Sequence, residues 1–196
     1  MNNKIAMLIV TVIAIVGAIG IYYLYGDNDV KETDAKKFHN EYTLVSEDNV
    51  FVYKSIDEII NILEGGTGIV YLGFPECPWC QSYVKYLNEV AIENNIKEVY
   101  YYNIMMDRNN NTEKYQKIVS LLSDKLLADD NGQKRVFVPD VSFVKNGKIL
   151  YHDNETSVID SNISPDEYWN DNNIKVFKAK MTSYISDYTG TCSTCN

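Results

Sequence analysis

Histidine is scarce in this chain, with two in 196 residues, and basic side chains are outnumbered, 18 against 27 acidic ones. The net charge is −9; all the acidic residues lie beyond Gly26, where the charge is −10, and no basic stripe interrupts it. Such a surface repels the phosphate backbone, so nucleic acid is excluded as a partner. No glycine-rich phosphate loop, Ser-His-Asp order or pair of catalytic carboxylates is present, and there is no internal repeat. His39 and His152 stand far apart, without a Cys, Asp or Glu cluster beside either, so both read as surface residues rather than metal ligands. Asp107, Asp129 and Asp130 read as solvated loop charges. Cysteine is also sparse, at four. A disulfide scaffold is not needed, because the 170 residues after Gly26 suffice for one ordinary core.

Charge is missing altogether from residues 5–26, IAMLIVTVIAIVGAIGIYYLYG. About 20 apolar residues span a bilayer as a helix. Tyr22, Tyr23 and Tyr25 fall at its far end, where aromatic rings favour the interface. A cleaved signal peptide would have an apolar region of about 7–15 residues followed by a polar cleavage site. Here Gly17-Ala18 leads into further apolar residues, and no cysteine is placed for lipidation. Residues 1–26 therefore read as an uncleaved single-pass anchor. Lys4 precedes it and Lys31, Lys36 and Lys37 follow, but Asp27 and Asp29 stand nearest the far end. A four-residue tail on a signal-like segment stays inside, which places the remaining domain on the extracytoplasmic side of a cell membrane.

Residues 27–48 are polar and without clear period, and read as a solvated tether, with a short amphipathic start to the domain near Phe38 and Tyr42 as the alternative. Residues 49–190 then alternate between patterns. Residues 50–53 form a short apolar strand. Ser55 and Glu58 make a capping box that opens a helix with Ile56, Ile59, Ile60 and Leu63 inward. Residues 68–74, GIVYLGF, suit a strand buried on both faces. Cys80, Val84, Leu87 and Ala91 follow at helical spacing. A Tyr-rich strand over 99–104 reads as sheet packing, and Tyr115, Ile118, Val119, Leu122 and Leu126 mark another helix. Residues 141–144 and 148–152 flank Asn146-Gly147, a pair suited to a two-residue hairpin turn. A last helix opens at Ser164-Pro165-Asp166-Glu167 and carries Phe177, Met181, Tyr184 and Tyr188 to Gly190. The pattern predicts an α/β fold, a mixed sheet with helices on both faces.

The chemistry concentrates in Cys77-Pro78-Trp79-Cys80, which falls where the 68–74 strand passes into a helix. A helix start offers unpaired amides and the positive end of the dipole, and both favour a thiolate. The thiolate is the nucleophile in disulfide exchange. Two intervening residues place the second sulfur one turn further in, where it can attack a mixed disulfide. Pro78 is tolerated in the first turn, and Trp79 offers an apolar lid or substrate contact. A structural disulfide or a zinc site shared with Cys192 and Cys195 are the rival readings. The 111 residues between Cys80 and Cys192 far exceed the interval of about 15–20 of a zinc ribbon.

The stretch GIVYLGFPECPWC, followed by a helix and then by VFVPDVSFVKNGKI, resembles the thioredoxin superfamily over residues 50–190. Within it the chain looks similar to membrane-anchored bacterial thioredoxin-like proteins, including the bacteriocin-transport accessory type. The resemblance implies a thioredoxin-like sheet, a cis-proline at Pro139 facing the cysteines, and a Val138 backbone that binds the substrate segment. Departures accompany it. The family carries a buried Asp, which assists proton transfer, six residues before its first cysteine; Tyr71 stands here. Glu76 replaces the family's Trp before Cys77, and a carboxylate there disfavours the thiolate. Pro139 lies 59 positions after Cys80, a longer interval than in thioredoxin. No His lies between the cysteines, so the strongly oxidising Cys-Pro-His-Cys setting is absent.

The expectation is a membrane-tethered thiol–disulfide oxidoreductase without metal or cofactor. Cys77 and Cys80 would be catalytic, and Trp79, Val138 and Pro139 would bind substrate. Its partners would be protein or peptide thiols and disulfides, a separate redox partner, and the membrane through residues 5–26. The alternative is a non-catalytic accessory module that binds an exported peptide. The tail, residues 191–196, holds Cys192 and Cys195 as either a mobile auxiliary redox pair or a local disulfide.

Overall fold

The computed structural model describes Met7, Thr11, Ile15 and residues 32–154 and 163–190. The chain divides into two units, 1–32 and 33–196. In the first, Thr11 Oγ1 donates to the Met7 carbonyl at 2.9 Å. Most of the expected anchor, and the tail with Cys192 and Cys195, lie outside the described residues. Among the described residues no helix is long and apolar enough to cross a membrane.

The second unit is a five-stranded mixed sheet flanked by helices. Its strands are β1 (Phe51–Tyr53), β2 (Gly68–Gly73), β3 (Val99–Asn103), β4 (Asp140–Lys145) and β5 (Lys148–Asp153), in the order β1-β3-β2-β4-β5. β3 pairs in parallel with both β1 and β2; β4 runs antiparallel to β2 and β5. The central position of β2 explains its composition. With neighbours on both edges and helices over both faces, all six residues are buried, and only an unbroken apolar run tolerates that.

Helix α1 spans Asp34–Glu41, α2 Ile56–Gly65, α3 Pro78–Glu93, α4 Met105–Asn109, α5 Glu113–Leu121, α6 Pro165–Tyr168 and α7 Asp171–Thr189. α2 packs with α5, and α3 with α7. Tyr71 and Tyr101 meet the α3 side, where Tyr71 stacks on Tyr83 at 6.2 Å, and Phe143 meets Tyr184 and Tyr188 of α7. The helix starts follow local chemistry. Ser55 with Glu58 and Ser164 with Glu167 form complete capping boxes. At the β4–β5 turn Asn146 and Gly147 have φ of 50° and 71°, as a type I′ turn demands. Gly147 is doubly required, because a Cβ there would strike the Glu64 carbonyl.

Three expectations need correction. The polar stretch 27–48 is not a tether throughout. Thr33 caps α1, and Phe38, Tyr42 and Val45 are buried. Phe38 stacks between Tyr42 (4.3 Å) and Phe51 (3.9 Å), with Tyr101 edge-on at 5.1 Å. Asp34 Oδ2 accepts from the Tyr53 amide, so α1 covers the outer edge of β1. The alternative, an amphipathic start to the domain near Phe38 and Tyr42, is what the structure shows. The last helix is also two helices. Asn170 caps α7 by accepting from the amides of Asn172 and Asn173, and this breaks the run after Tyr168. The helix read through Leu126 ends at Leu121, though Leu122 and Leu126 stay buried.

His152 departs from the surface role expected of it. It is half-buried on β5, and its Nε2 lies 2.8 Å from Oδ2 of the fully buried Asp140. Burial raises the Asp140 pKa. Burial works against charging His152, but the Asp140 carboxylate prevails and raises its pKa. His39 hydrogen-bonds the Val45 carbonyl through Nδ1 at 2.6 Å, which ties the end of α1 to the next turn.

Removing the Phe38 ring should cost about 3–5 kcal/mol of unfolding free energy. Denaturant titration of Phe38→Ala against wild type measures this. A loss below about 0.5 kcal/mol, as for a surface substitution, would mean that α1 is not part of the core.

Candidate functional site

The parallel strands β2 and β3 release their chains at the same end of the sheet. From β2 the chain turns through Phe74-Pro75-Glu76, closed by the Cys77 amide donating to the Phe74 carbonyl at 3.2 Å. It then enters α3 with Cys77 as N-cap and Pro78 at the first position. The antiparallel strand β4 starts at that same end, directly after the Val138-Pro139 bond, which is cis. The Cys77 thiol faces the Val138 carbonyl at 4.0 Å. Cys77, Cys80, Val138 and Pro139 are thus brought together. Trp79 is half-buried nearby and packs edge-on against Tyr168 of α6 at 5.6 Å.

Both cysteines are free thiols. Cys77 retains 8% of its surface and Cys80 none. The Cys80 amide donates to Cys77 Sγ at 3.1 Å, so a helix-start orphan donor is satisfied by sulfur. The Cys77 pKa is lowered. The largest cause is the hydrogen bond between the two thiols; burial opposes it; the amides of Cys80 and Trp79 and the charge of Arg108 reinforce it. Burial pushes the Cys80 thiol well above its usual range, and its neighbour Cys77 adds to that. The surroundings therefore favour the anion at Cys77 and disfavour it at Cys80. The expectation that Glu76 would disfavour the thiolate does not prevail: Glu76 is exposed, and the donors around the sulfur outweigh it.

Tyr71 lies beneath the pair. Its Oη is buried without an ordinary hydrogen-bond partner, and burial followed by the proximity of Cys80 holds its pKa well above the usual range. Gly73 makes room for that hydroxyl, since a Cβ there would collide with Tyr71 Oη. Tyr42 and Tyr101 extend the cluster, joined hydroxyl to hydroxyl at 3.3 Å.

No known protein family, curated protein or solved structure matches this chain. The chemistry of the site therefore rests on its own geometry. Among the described residues no group of three or more His, Cys, Asp and Glu is placed to hold a metal ion.

Sequence reasoning missed Arg108. It sits on α4, directly after β3, with its guanidinium over the Phe74 ring at 4.8 Å. The Ile104 amide donates to the Gly73 carbonyl at 3.3 Å, which sets the end of β3 beside the end of β2. That adjacency requires the strand order, and no local pattern announces it. Asp107, expected to be solvated, instead accepts from Tyr102 Oη and from Thr112 Oγ1, and so fixes the α4–α5 corner that carries Arg108.

Alkylation of Cys77 by iodoacetamide should follow an apparent pKa below that of a free cysteine, about 8.5. Arg108→Gln should move the midpoint upward, because it removes a positive charge that favours the thiolate. Rate–pH profiles of the two proteins measure the shift; a downward or absent shift would contradict the electrostatic role of Arg108.

Proposed function

We propose that this protein is a membrane-tethered thiol–disulfide oxidoreductase of thioredoxin type, acting on protein or peptide substrates through Cys77 and Cys80. The observation that carries the reading is the Cys77 sulfur at a helix start, with lowered pKa, facing the Val138 carbonyl before cis-Pro139. The five-stranded mixed sheet flanked by helices is compatible with that reading. The uncharged run at residues 5–26 supports the tether and an extracytoplasmic domain.

The Cys77 thiolate attacks one sulfur of a substrate disulfide. A Cys77–substrate disulfide forms, and the other substrate sulfur leaves as a thiolate that takes a proton. Cys80 then loses its proton and attacks Cys77 Sγ. The Cys77–Cys80 disulfide forms and the second substrate thiolate departs. Two electrons have passed to the substrate, and the reverse sequence oxidises it. The raised pKa of Cys80 keeps it a thiol until this second step, so that it does not compete as nucleophile in the first. The Tyr71 hydroxyl offers a donor to the Cys80 sulfur when it becomes an anion. A recess of about 400 Å³ borders the Cys77 turn, lined in part by Leu44, Pro75, Pro78 and Pro165, and gives apolar side chains of a bound segment a place to lie.

Incubating the full-length protein with a disulfide-bonded protein such as insulin tests the reading. Wild type should exchange, Cys77→Ser should lose activity by at least about 10³-fold, as for loss of a nucleophile, and Cys80→Ser should accumulate a mixed disulfide through Cys77. Absence of exchange in wild type, with substrate binding kept in Cys77→Ser, would favour the accessory binding module instead.

A further inference from the structure

The chain contains two arginines among its 18 basic residues, Arg108 and Arg135. They are 27 positions apart in sequence, yet both line one cleft of about 210 Å³. Three connections place this cleft beside the cysteines. Arg108 rests on Phe74, whose carbonyl receives the Cys77 amide. Its charge reaches both sulfurs. Arg135 stands three residues before Val138, and the next amide, that of Val136, donates to Tyr115 Oη on the cleft wall at 3.3 Å.

Neither arginine is ion-paired among the described residues, although acidic side chains are the commonest charge on the protein. The carboxylates nearby are engaged elsewhere. Asp107 serves Tyr102 and Thr112, and Asp129 Oδ1 accepts from the amides of Asn131 and Gln133. Arg108 Nε is buried and without a hydrogen-bond partner. Two half-buried guanidiniums of like charge repel each other, and leaving donors unsatisfied adds to that cost. A carboxylate arriving between them relieves both, and guanidinium planes suit carboxylates in a bidentate arrangement.

We propose that Arg108 and Arg135 form an anion-binding subsite that takes a carboxylate of the substrate peptide, an acidic side chain or chain end close to its reacting cysteine. The inference rests on the exchange chemistry proposed above, and deepens it by naming a substrate class. The subsite selects acidic segments where this acidic protein brings two unpaired guanidiniums into one cleft. It also aligns the segment, because a carboxylate held in the cleft while sulfur meets Cys77 fixes the direction in which the peptide crosses Val138.

Two peptides that differ only by Glu or Gln beside a disulfide-linked cysteine test this on the full-length protein. Wild type should react with the Glu peptide about tenfold faster, the scale of one well-placed charge pair. The preference should weaken as salt rises. In Arg108→Gln/Arg135→Gln the ratio should fall to about one, and in Arg108→Lys/Arg135→Lys part of it should return, because charge remains but the fork is lost. Arg135→Glu should abolish the preference, because the new carboxylate occupies the remaining guanidinium. Binding of the same two peptides with Ser in place of Cys, followed by calorimetry, separates this subsite from the redox reading. If neither disulfide peptide reacts but the Glu Ser-peptide still binds more tightly, the subsite stands and the exchange chemistry falls. If both disulfide peptides react equally and the Ser-peptides bind equally, the subsite is overturned and the exchange chemistry stands.

Discussion

Strand β2 meets water on neither face and along neither edge, and everything functional in this domain follows from how that burial is achieved. Six residues without a charged side chain are clamped between β3 and β4. Because one neighbour is parallel and the other antiparallel, three chain segments are delivered to a single end of the sheet. One is the exit of β2 toward Cys77. Another is the exit of β3 toward Arg108. The third is the entry to β4 after Pro139. The site is assembled by strand direction, with helix α3 supplying the amides that its first turn leaves unpaired.

Burial also sorts the electrostatics. In a chain of net charge −9 a thiolate would be disfavoured by the average field. Locally the field is reversed, by donors whose range is short: the neighbouring thiol, two amides and one guanidinium. Cys80, one turn deeper and with no exposed surface, experiences desolvation first and is held neutral. The difference between the two sulfurs is therefore chiefly a difference in depth, set by the spacing of the motif and the packing of α3 on the sheet.

The strands and most helix starts were legible in the sequence because their causes are local. An apolar run, a Ser with Glu three residues on, and an Asn-Gly pair each act within a few positions. Cys77 and Cys80 were legible for the same reason, through a motif at a strand–helix junction, whereas Pro139 was expected from the family resemblance alone. What escaped depends on contacts across the chain. Helix α1, readable only as an alternative to a tether near Phe38 and Tyr42, is held by Phe38 against Phe51 and Tyr101, partners up to 63 positions away. The role of Arg108 required knowing that β3 lies beside β2. Buried pairing of His152 with Asp140 required the β4–β5 register, in which His152 stands opposite Ser142, two residues beyond Asp140 on the pleat. Asn170 was readable as a helix cap in type, but it was overlooked behind the stronger cap at Ser164.

The shallow opening over Cys77, with 8% of that residue reachable, has a consequence for what the domain can recognise. A sulfur arriving there must project beyond its own surroundings and lie along a backbone edge at Val138. A disulfide set rigidly inside a finished fold does not present itself in that way; one carried on a slack, extended stretch does. In the proposed exchange, this geometry reads the conformational state of a partner before any side chain is inspected, favouring chains not yet folded, or segments that stay loose after folding.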